Sequence, residues 1–416
     1  MKILVIGGGG REHTIIWKLR QNPGVTEIHC APGNGGISDM AVCVPIKATD
    51  IPGIVDYAKK EGFDLVVVAP DDPLYLGLVD ALQKEGIRAF GPTADGARLE
   101  GSKVYAKTLM KKYGIPTAQY AVFSDYYAAC AYVDTCPLPT VVKADGLALG
   151  KGVIICSTAE EAKAALDDIM VKRVFGEAGS RVVIEEFMAG PEVSVLAFCD
   201  GRTILPMASA QDHKRVFDSD QGPNTGGMGT FSPSPKYTDA VRAEVEETII
   251  HRTLDALLQE GVVFKGVLYF GLMLTQTGPK LLEYNARFGD PEAQVVLPRL
   301  KNDLLDVMDA VIDGRLHEVT LEWDERSAVC VVMASGGYPG PYPKGKPIAG
   351  LGKTDGVTVF HAGTAKENSE YITSGGRVLG ITALGRDITE ARVKAYGEVK
   401  KISFEGAQYR SDIGIK

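Results

Sequence analysis

The stretch KILVIGGGG, Lys2 to Gly10, constrains the fold more than any other part of the chain. A short unbroken apolar run stopped by glycines reads as a buried strand, and a strand covered on both faces needs helices beside its sheet. The next segments supply them. EHTIIWKLRQ has helical periodicity, TEIHCAPGN reads as a second strand and loop, DIPGIVDYAKKEG as a helix, and FDLVVVAPDDP as another strand. This alternation predicts βαβ units and a parallel sheet, closing near GIRAFGPT, with a helix starting at about Asp95.

The rest of the chain has a different rhythm. From Ser102 to about Phe187, PTVVKADGLALGKGVIICS reads as strand, glycine-rich turn, strand, followed by a helix (Thr158 to Met170) and the strand RVVIEEF. From about 188 to 320 come the strands EVSVLAFCD, VLYFGLMLT and PKLLEYNARF, with a long polar Gly/Pro loop among them. From about 325 the strands AVCVVMAS, GVTVFHAG and RVLGITALG and a helix from about Ile388 predict a small α+β unit. At roughly 150 residues per domain, 416 residues allow two to four domains.

Charge and cysteine content exclude several classes. The net charge of -8 is opposite to what gripping a nucleic-acid backbone needs, so an anionic ligand must be met by a few local Lys and Arg residues. The seven cysteines form no CxxC pair, which reads as reduced thiols in a cytoplasmic protein without structural zinc. No apolar run is long enough to span a bilayer, and the N-terminus does not read as a signal peptide.

Two glycine loops stand out. Gly7 to Gly10 lies where a strand meets a helix N-terminus, an arrangement that binds anions. The dinucleotide fingerprint is broken, because Glu12 or His13 stands where the third glycine belongs, and Pro32-Gly33-Asn34 offers no ribose-binding acid. A phosphate or sugar-phosphate ligand and a plain structural turn both remain open. The second loop, KADGLALGKG from Lys143 to Gly152, is one residue short of a P-loop and ends in glycine instead of Ser/Thr. Gly340 to Lys346 has the P-loop spacing, but Pro347 follows and Pro341 and Pro343 lie inside. Lys143 beside a glycine flap suits closure over nucleotide phosphates; a hairpin turn is the alternative.

Three further clusters carry chemistry. Glu185 and Glu186 end an apolar strand and Glu192 follows a Gly-Pro turn, which suits ribose hydroxyls or a solvated edge. Gln211 to Lys236 is a long polar loop containing Asp212, His213, Lys214 and Arg215 and then Thr225-Gly226-Gly227-Met228-Gly229; such loops are usually functional or disordered, and Lys214 and Arg215 suit an anionic substrate or a charged surface turn. In LLEYNARFGDPE, strand alternation puts Glu283, Asn285 and Arg287 on one face and Leu282, Tyr284 and Ala286 on the other. Glu and Asn oxygens suit a Mg²⁺ shared with phosphates, and the Arg fork suits a carboxylate or phosphoryl group; a surface salt-bridge stripe is the alternative, to which an Asn between the charges adds little.

GGGGREH, APGN, GPTADGARLEGSK, VVKADGLALGKGV, VIEEF, QDHKR, GPNTGGMG, EYNARFGDPE and MASGGYPG occur in this order. Over essentially its whole length the chain resembles the phosphoribosylamine–glycine ligase (glycinamide ribonucleotide synthetase) family of the ATP-grasp superfamily. The resemblance implies an α/β and α+β protein. A Rossmann-like parallel-sheet domain would span 1–102, the ATP-grasp first lobe with its flap 103–187, the second lobe with the metal site 188–324, and a C-terminal α+β domain 325–416. It implies ligation of glycine to 5-phosphoribosylamine with ATP as substrate and Mg²⁺ or Mn²⁺ as cofactor, in a cytoplasmic monomer acting on small molecules.

Residue roles follow from the same resemblance. Lys103, Lys143, Gly150, Glu185, Glu186, Phe187 and Glu192 would bind ATP, and Glu283 and Asn285 the metal. Arg287, Lys143, Asp212 and Lys214 would act in catalysis. Arg287, Asp212, Lys214, Thr225, Gly226, Gly227 and Met228 would face glycine and its acyl phosphate, and Gly9, Gly10 and Asn34 the phosphoribosylamine. The family's Gly-Pro-Glu is Ala69-Pro70-Asp71 here, a shorter acid that bears on the ribose-phosphate contact and not on the activity. The QDHKR and GPNTGGMG segments argue against another ATP-grasp carboxylate–amine ligase. Intact Lys143, Glu283, Asn285 and Arg287 argue against a non-catalytic nucleotide-binding protein.

Overall fold

The computed structural model describes residues 1–147 and 152–415. Strands β1 (Lys2–Gly7), β2 (Glu27–Pro32), β3 (Val42–Cys43), β4 (Leu65–Val68) and β5 (Ala89–Phe90) form a parallel sheet in the order β3-β2-β1-β4-β5. Helices Gly10–Leu19 and Ile51–Glu61 make the crossovers; Asp50 caps the second by accepting from the Gly53 N–H, and Gly62 ends it at φ 65°. The strand order reverses between β1 and β4. Ligands of open α/β sheets bind beyond the carboxyl ends of the strands at such a switch point. Here those ends lead to Gly7–Gly10 and to Ala69–Asp71.

The next sheet is antiparallel: β6 (Tyr120–Phe123), β7 (Thr140–Ala144), β8 (Val153–Cys156) and β9 (Val182–Glu186), ordered β6-β9-β7-β8. The helix expected from Thr158 is Ala159–Leu166, continued by a wider turn over Asp167–Val171 and capped by the Thr158 hydroxyl. Much of the glycine flap, Gly150 included, lies outside the described residues.

After β10 (Glu192–Asp200) and β11 (Ile204–Pro206), half of the segment read as a loop from Gln211 to Lys236 is strand. It contains β12 (Gln211–Asp212), the paired β13 (Arg215–Phe217) and β14 (Gln221–Asn224), and β15 (Gly229–Ser232). Helical segments over 239–259 then lead to β16 (Lys265–Thr275) and β17 (Gly278–Asn285). Strands β10, β11, β16 and β17 form the second lobe, ordered β11-β10-β16-β17. Its residues share two continuous cores with the N-terminal sheet: Val195, Phe270 and Tyr284 pack with Leu4 and Ile6, and Phe198 with Ile3 and Val5.

The last strands are β18 (Ser327–Ala334), β19 (Thr358–His361), the hairpin β20 (Thr364–Glu367) and β21 (Glu370–Thr373), and β22 (Arg377–Gly385), followed by the helix Ile388–Val399. Their main sheet runs β12-β15-β18-β22-β19, so two of its strands come from the segment read as a loop. No helix among the described residues is long and apolar enough to cross a membrane.

Candidate active site

The alternation read from Leu282 to Arg287 needs one correction. In the β16–β17 pairing Gly271 faces Glu283 while Leu272 faces Leu281, so Leu282 is the extra residue of a β-bulge. Leu281, Tyr284 and Ala286 face the main core, whereas Leu282 turns to a separate cluster with Ala118, Met188 and Met273. This small apolar patch joins residues of the two lobes, and Phe187, next to Met188 in the chain, is half-exposed. Sequence periodicity missed it, because a bulge breaks the period of two.

In the first lobe, β7 carries Lys143 and neighbouring β9 carries Glu185. The Glu185 carboxylate is 2% exposed, with Lys143 Nζ 2.8 Å from one oxygen and Lys107 Nζ 3.2 Å from the other. Both oxygens of Glu185 are thus engaged by lysines. Lys107, unforeseen from the sequence, also donates to Thr117 Oγ1 at 2.7 Å, and burial pushes it down to about 8 against the opposing pull of Glu185. Glu186 pairs with Lys280 at 3.1 Å and accepts from the Gln119 amide.

Lys103 opens the helix Lys103–Lys112, capped by Ser102, and donates to Gly146 O at 2.8 Å. Asp145, at the foot of the flap, accepts from Ser102 Oγ and the Val104 amide at 3.0 Å and pairs with Arg181 at 2.6 Å. This pins the flap's base to the helix that presents Lys103.

Glu283 is where the two lobes meet electrostatically. Burial raises its carboxyl, yet Lys214, Lys143, Lys103 and Arg287 together hold it below the usual carboxylate range. Two of these cations come from each lobe. None forms an ion pair with Glu283 among the described residues. Lys214 is 2.5 Å from Glu192; burial lowers its ammonium, but Glu192, Asp212, Tyr269 and Glu283 drive it well above the ordinary lysine value. Arg287 pairs with Glu100 at 2.8 Å and donates to Asn285 Oδ1 at 3.3 Å, and its Nε is buried without a hydrogen-bond partner.

The residues fit a divalent cation of a particular kind. Glu283 and Asn285 present hard oxygens at one strand end, and no cluster of three or more His, Cys, Asp or Glu able to hold a metal exists among the described residues. Two protein ligands suit Mg²⁺ or Mn²⁺ completing its shell with phosphate oxygens and water, and not a cage made by protein alone.

The glycine loop of β1 meets a third group of residues. A Cβ on Gly9 would lie 3.3 Å from Asp290 Oδ2, and one on Gly10 only 2.5 Å from Gln294 Nε2. Arg377, from the start of β22, donates to Gly226 O at 2.5 Å and Asp290 O at 2.7 Å. Gly9, Gly10, Gly226 and Gly227 thus converge around Asp290 and Arg377. Asn34 and Met228 stand apart. The Asn34 amide donates to Gly8 O and His361 O and accepts from the Gly36 and Ile37 amides, so its side chain braces the loop. Met228 is fully buried against Val216, Ala334 and Tyr338. Thr225 Oγ1 is spent between Lys214 O and the Gly227 amide, and Asp212 sits in β12 opposite Thr230.

Family models for phosphoribosylglycinamide synthetase match the chain in three successive parts: the N domain over 1–100, the ATP-grasp (A) domain over 101–293 and the C domain over 328–416. A phosphoribosylamine–glycine ligase of Halalkalibacterium halodurans is 51% identical over 100% of this chain and 97% of its own length. The chain belongs to the phosphoribosylamine–glycine ligase family.

The trifunctional purine biosynthetic protein adenosine-3 of Gallus gallus is 50% identical over the whole chain, which spans 42% of that protein. The crystal structure of the phosphoribosylamine–glycine ligase of Thermotoga maritima superimposes with a TM-score of 0.87 at 36% identity, covering 99% of this chain and 100% of that one. A biotin carboxylase domain from Hydrogenobacter thermophilus shares the fold at a TM-score of 0.76 and 15% identity, over 98% of this chain and 91% of that one. In this phosphoribosylamine–glycine ligase family member, the stretch from the end of β17 to Gln294 touches both of the other regions: Lys103 and Lys143 act on Glu283, and Gly9 and Gly10 approach Asp290 and Gln294.

Proposed function

We propose that this ATP-grasp ligase of purine biosynthesis joins glycine to 5-phosphoribosylamine through glycyl phosphate, giving glycinamide ribonucleotide, ADP and phosphate. The observation that carries this reading is the convergence of Lys103, Lys143, Lys214 and Arg287 on Glu283. Four cations from two lobes around one unpaired carboxylate suit a triphosphate with a transferring phosphoryl group.

A carboxylate resists attack by an amine because its charge repels the nucleophile and oxide is a poor leaving group. A glycine carboxylate oxygen attacks the γ-phosphorus, the bond to the ADP oxygen breaks, and the acyl phosphate forms. The amine of phosphoribosylamine then attacks the carbonyl carbon, phosphate leaves with the bonding electrons, and the ammonium proton is lost. Lys103 and Lys143 hold phosphate oxygens, and Arg287 and Lys214 screen glycine and the phosphoryl group being transferred. Bound at Glu283 and Asn285, Mg²⁺ or Mn²⁺ would neutralise charge on the phosphate oxygens. The patch of Leu282, Met188, Ala118 and Met273, with Phe187, takes the adenine, and the Gly9–Gly10 loop with Asp290 faces the phosphoribosylamine. Excluding water around the acyl phosphate falls to the glycine-rich segment that follows Lys143 in the chain.

Glycine labelled with heavy oxygen in its carboxylate provides the test. One labelled oxygen per turnover is expected in the released phosphate, read by mass spectrometry. Unlabelled phosphate alongside normal product would overturn the acyl-phosphate route.

A further inference from the structure

Glu100 has no part in the chemistry above, yet it is the carboxylate paired with Arg287. It sits in the last turn of the helix Ala94–Gly101. One oxygen pairs with Arg287 at 2.8 Å and the other accepts the Ala286 amide at 2.8 Å. A single carboxylate thus grips both the side chain of one residue and the backbone just before it. The Glu100 side chain is 8% exposed and that of Arg287 is 18% exposed, so solvent screens the pair weakly. Asp71 and Arg11 are the other charges acting on Glu100, and Asp71 also acts on Arg287.

The surroundings make this more than a surface ion pair. The helix Ala94–Gly101 turns at Ser102 directly into the helix that begins with Lys103. Glu100 and Lys103 therefore stand on either side of one capped corner, three residues apart. Through them this corner sets two of the four cations that converge on Glu283. Arg287 has competing acceptors close by, Asn285 Oδ1 at 3.3 Å and Phe288 O at 3.4 Å, both longer than the Glu100 contact. Without Glu100, nothing as short holds the fork toward the cleft. Productive transfer needs reacting groups held to within about an ångström.

We propose that Glu100 is a positioning residue for the ligation, orienting the Arg287 guanidinium toward the glycine carboxylate by bridging it to the Ala286 backbone. The proposal rests on the reading of Arg287 given above, and its test separates the two. Glu100→Gln keeps the size and the acceptor for Ala286 but removes the charge that orients Arg287. Its kcat/KM for glycine is expected to fall at least tenfold, with KM for ATP within twofold and the melting temperature unchanged. In an Arg287→Ala background, Glu100→Gln is expected to cause no further loss, because its effect passes through the guanidinium.

Wild-type glycine kinetics in Glu100→Gln, where Arg287→Ala is impaired, would overturn the positioning role alone. Additive losses, or equal losses for all substrates with a lowered melting temperature, would also overturn it by marking Glu100 as structural. Unimpaired glycine kinetics in Arg287→Ala would overturn the reading of Arg287 and this proposal with it. If Glu100→Gln does not fold, Glu100→Asp keeps the charge, shortens the reach and carries the same expectation.

Discussion

A carboxylate that four cations surround and none neutralises is a poor structural element and a good ligand. Glu283 fits that description, and Asn285 adds a neutral oxygen beside it. Glu283→Gln or Asn285→Ala is expected to lower turnover by about a hundredfold or more, the scale of losing one preorganised electrostatic contact, with the fold intact. Steady-state kinetics at ordinary Mg²⁺ together with circular dichroism would check both halves. Glu185 should behave oppositely. Its two oxygens face Lys107 and Lys143, all three side chains being nearly inaccessible. Glu185→Ala leaves two buried ammonium groups uncompensated, so a loss of about 3–5 kcal/mol is expected in chemical denaturation. The sequence marks Glu185 as a candidate site acid at the end of an apolar strand. It could not show that the acid is shielded, because Lys107 lies on a helix far from it in the chain.

Elements marked by apolar runs were legible, and short polar strands were not, even where their partner lies close in the chain, as for β13 and β14. The parallel strands β1, β2 and β4 announce themselves through apolar runs and glycine stops. The strands within Gln211–Lys236 carry no such signal, being two to four residues long and largely polar, and β15 reaches its second partner, β18, only about a hundred residues on. The helix Gly10–Leu19 shows a similar hidden contact: its His13 Nδ1 accepts the His361 amide of β19 at 2.8 Å. An accepting Nδ1 carries no proton. Burial, reinforced by the neighbouring His361, pushes His13 down to about 3, and burial pushes His361 down to about 4. Asp39, Lys366 and Tyr371 are the other titratable groups packed there. Between the folded values and the ordinary 6.5, the unfolded chain binds more protons. Stability should therefore fall as pH drops below about 6.5, by about 1.4 kcal/mol per pH unit for each histidine, until the folded value is reached. His13→Asn keeps an acceptor and removes one titration, so denaturation curves from pH 7 to 4 should show a flatter slope than the parent.

At the scale of the whole molecule, the cuts drawn from sequence follow changes of rhythm, whereas the sheets follow hydrogen bonds. The boundary expected at 324 and 325 separates β18 from β15, although Gly229–Ser232 pairs in register with Ala328–Val331. Phe231 from β15 is fully buried in the same core as Val329, Val331 and Met333. A fragment of residues 325–416 would thus keep β18, β22 and β19 but lose β12 and β15, baring one long edge of β18 whose eight residues are all buried in the whole protein. A long flat apolar edge of this kind templates aggregation. The fragment is expected to be unfolded or self-associated, with poor amide dispersion in NMR and no cooperative thermal transition. Mixing it with a separately expressed 1–324 fragment, which carries the missing strands, should restore dispersion by returning β15 to β18. A well-dispersed, cooperatively melting 325–416 fragment alone would mean that β15 lies on a domain already complete without it.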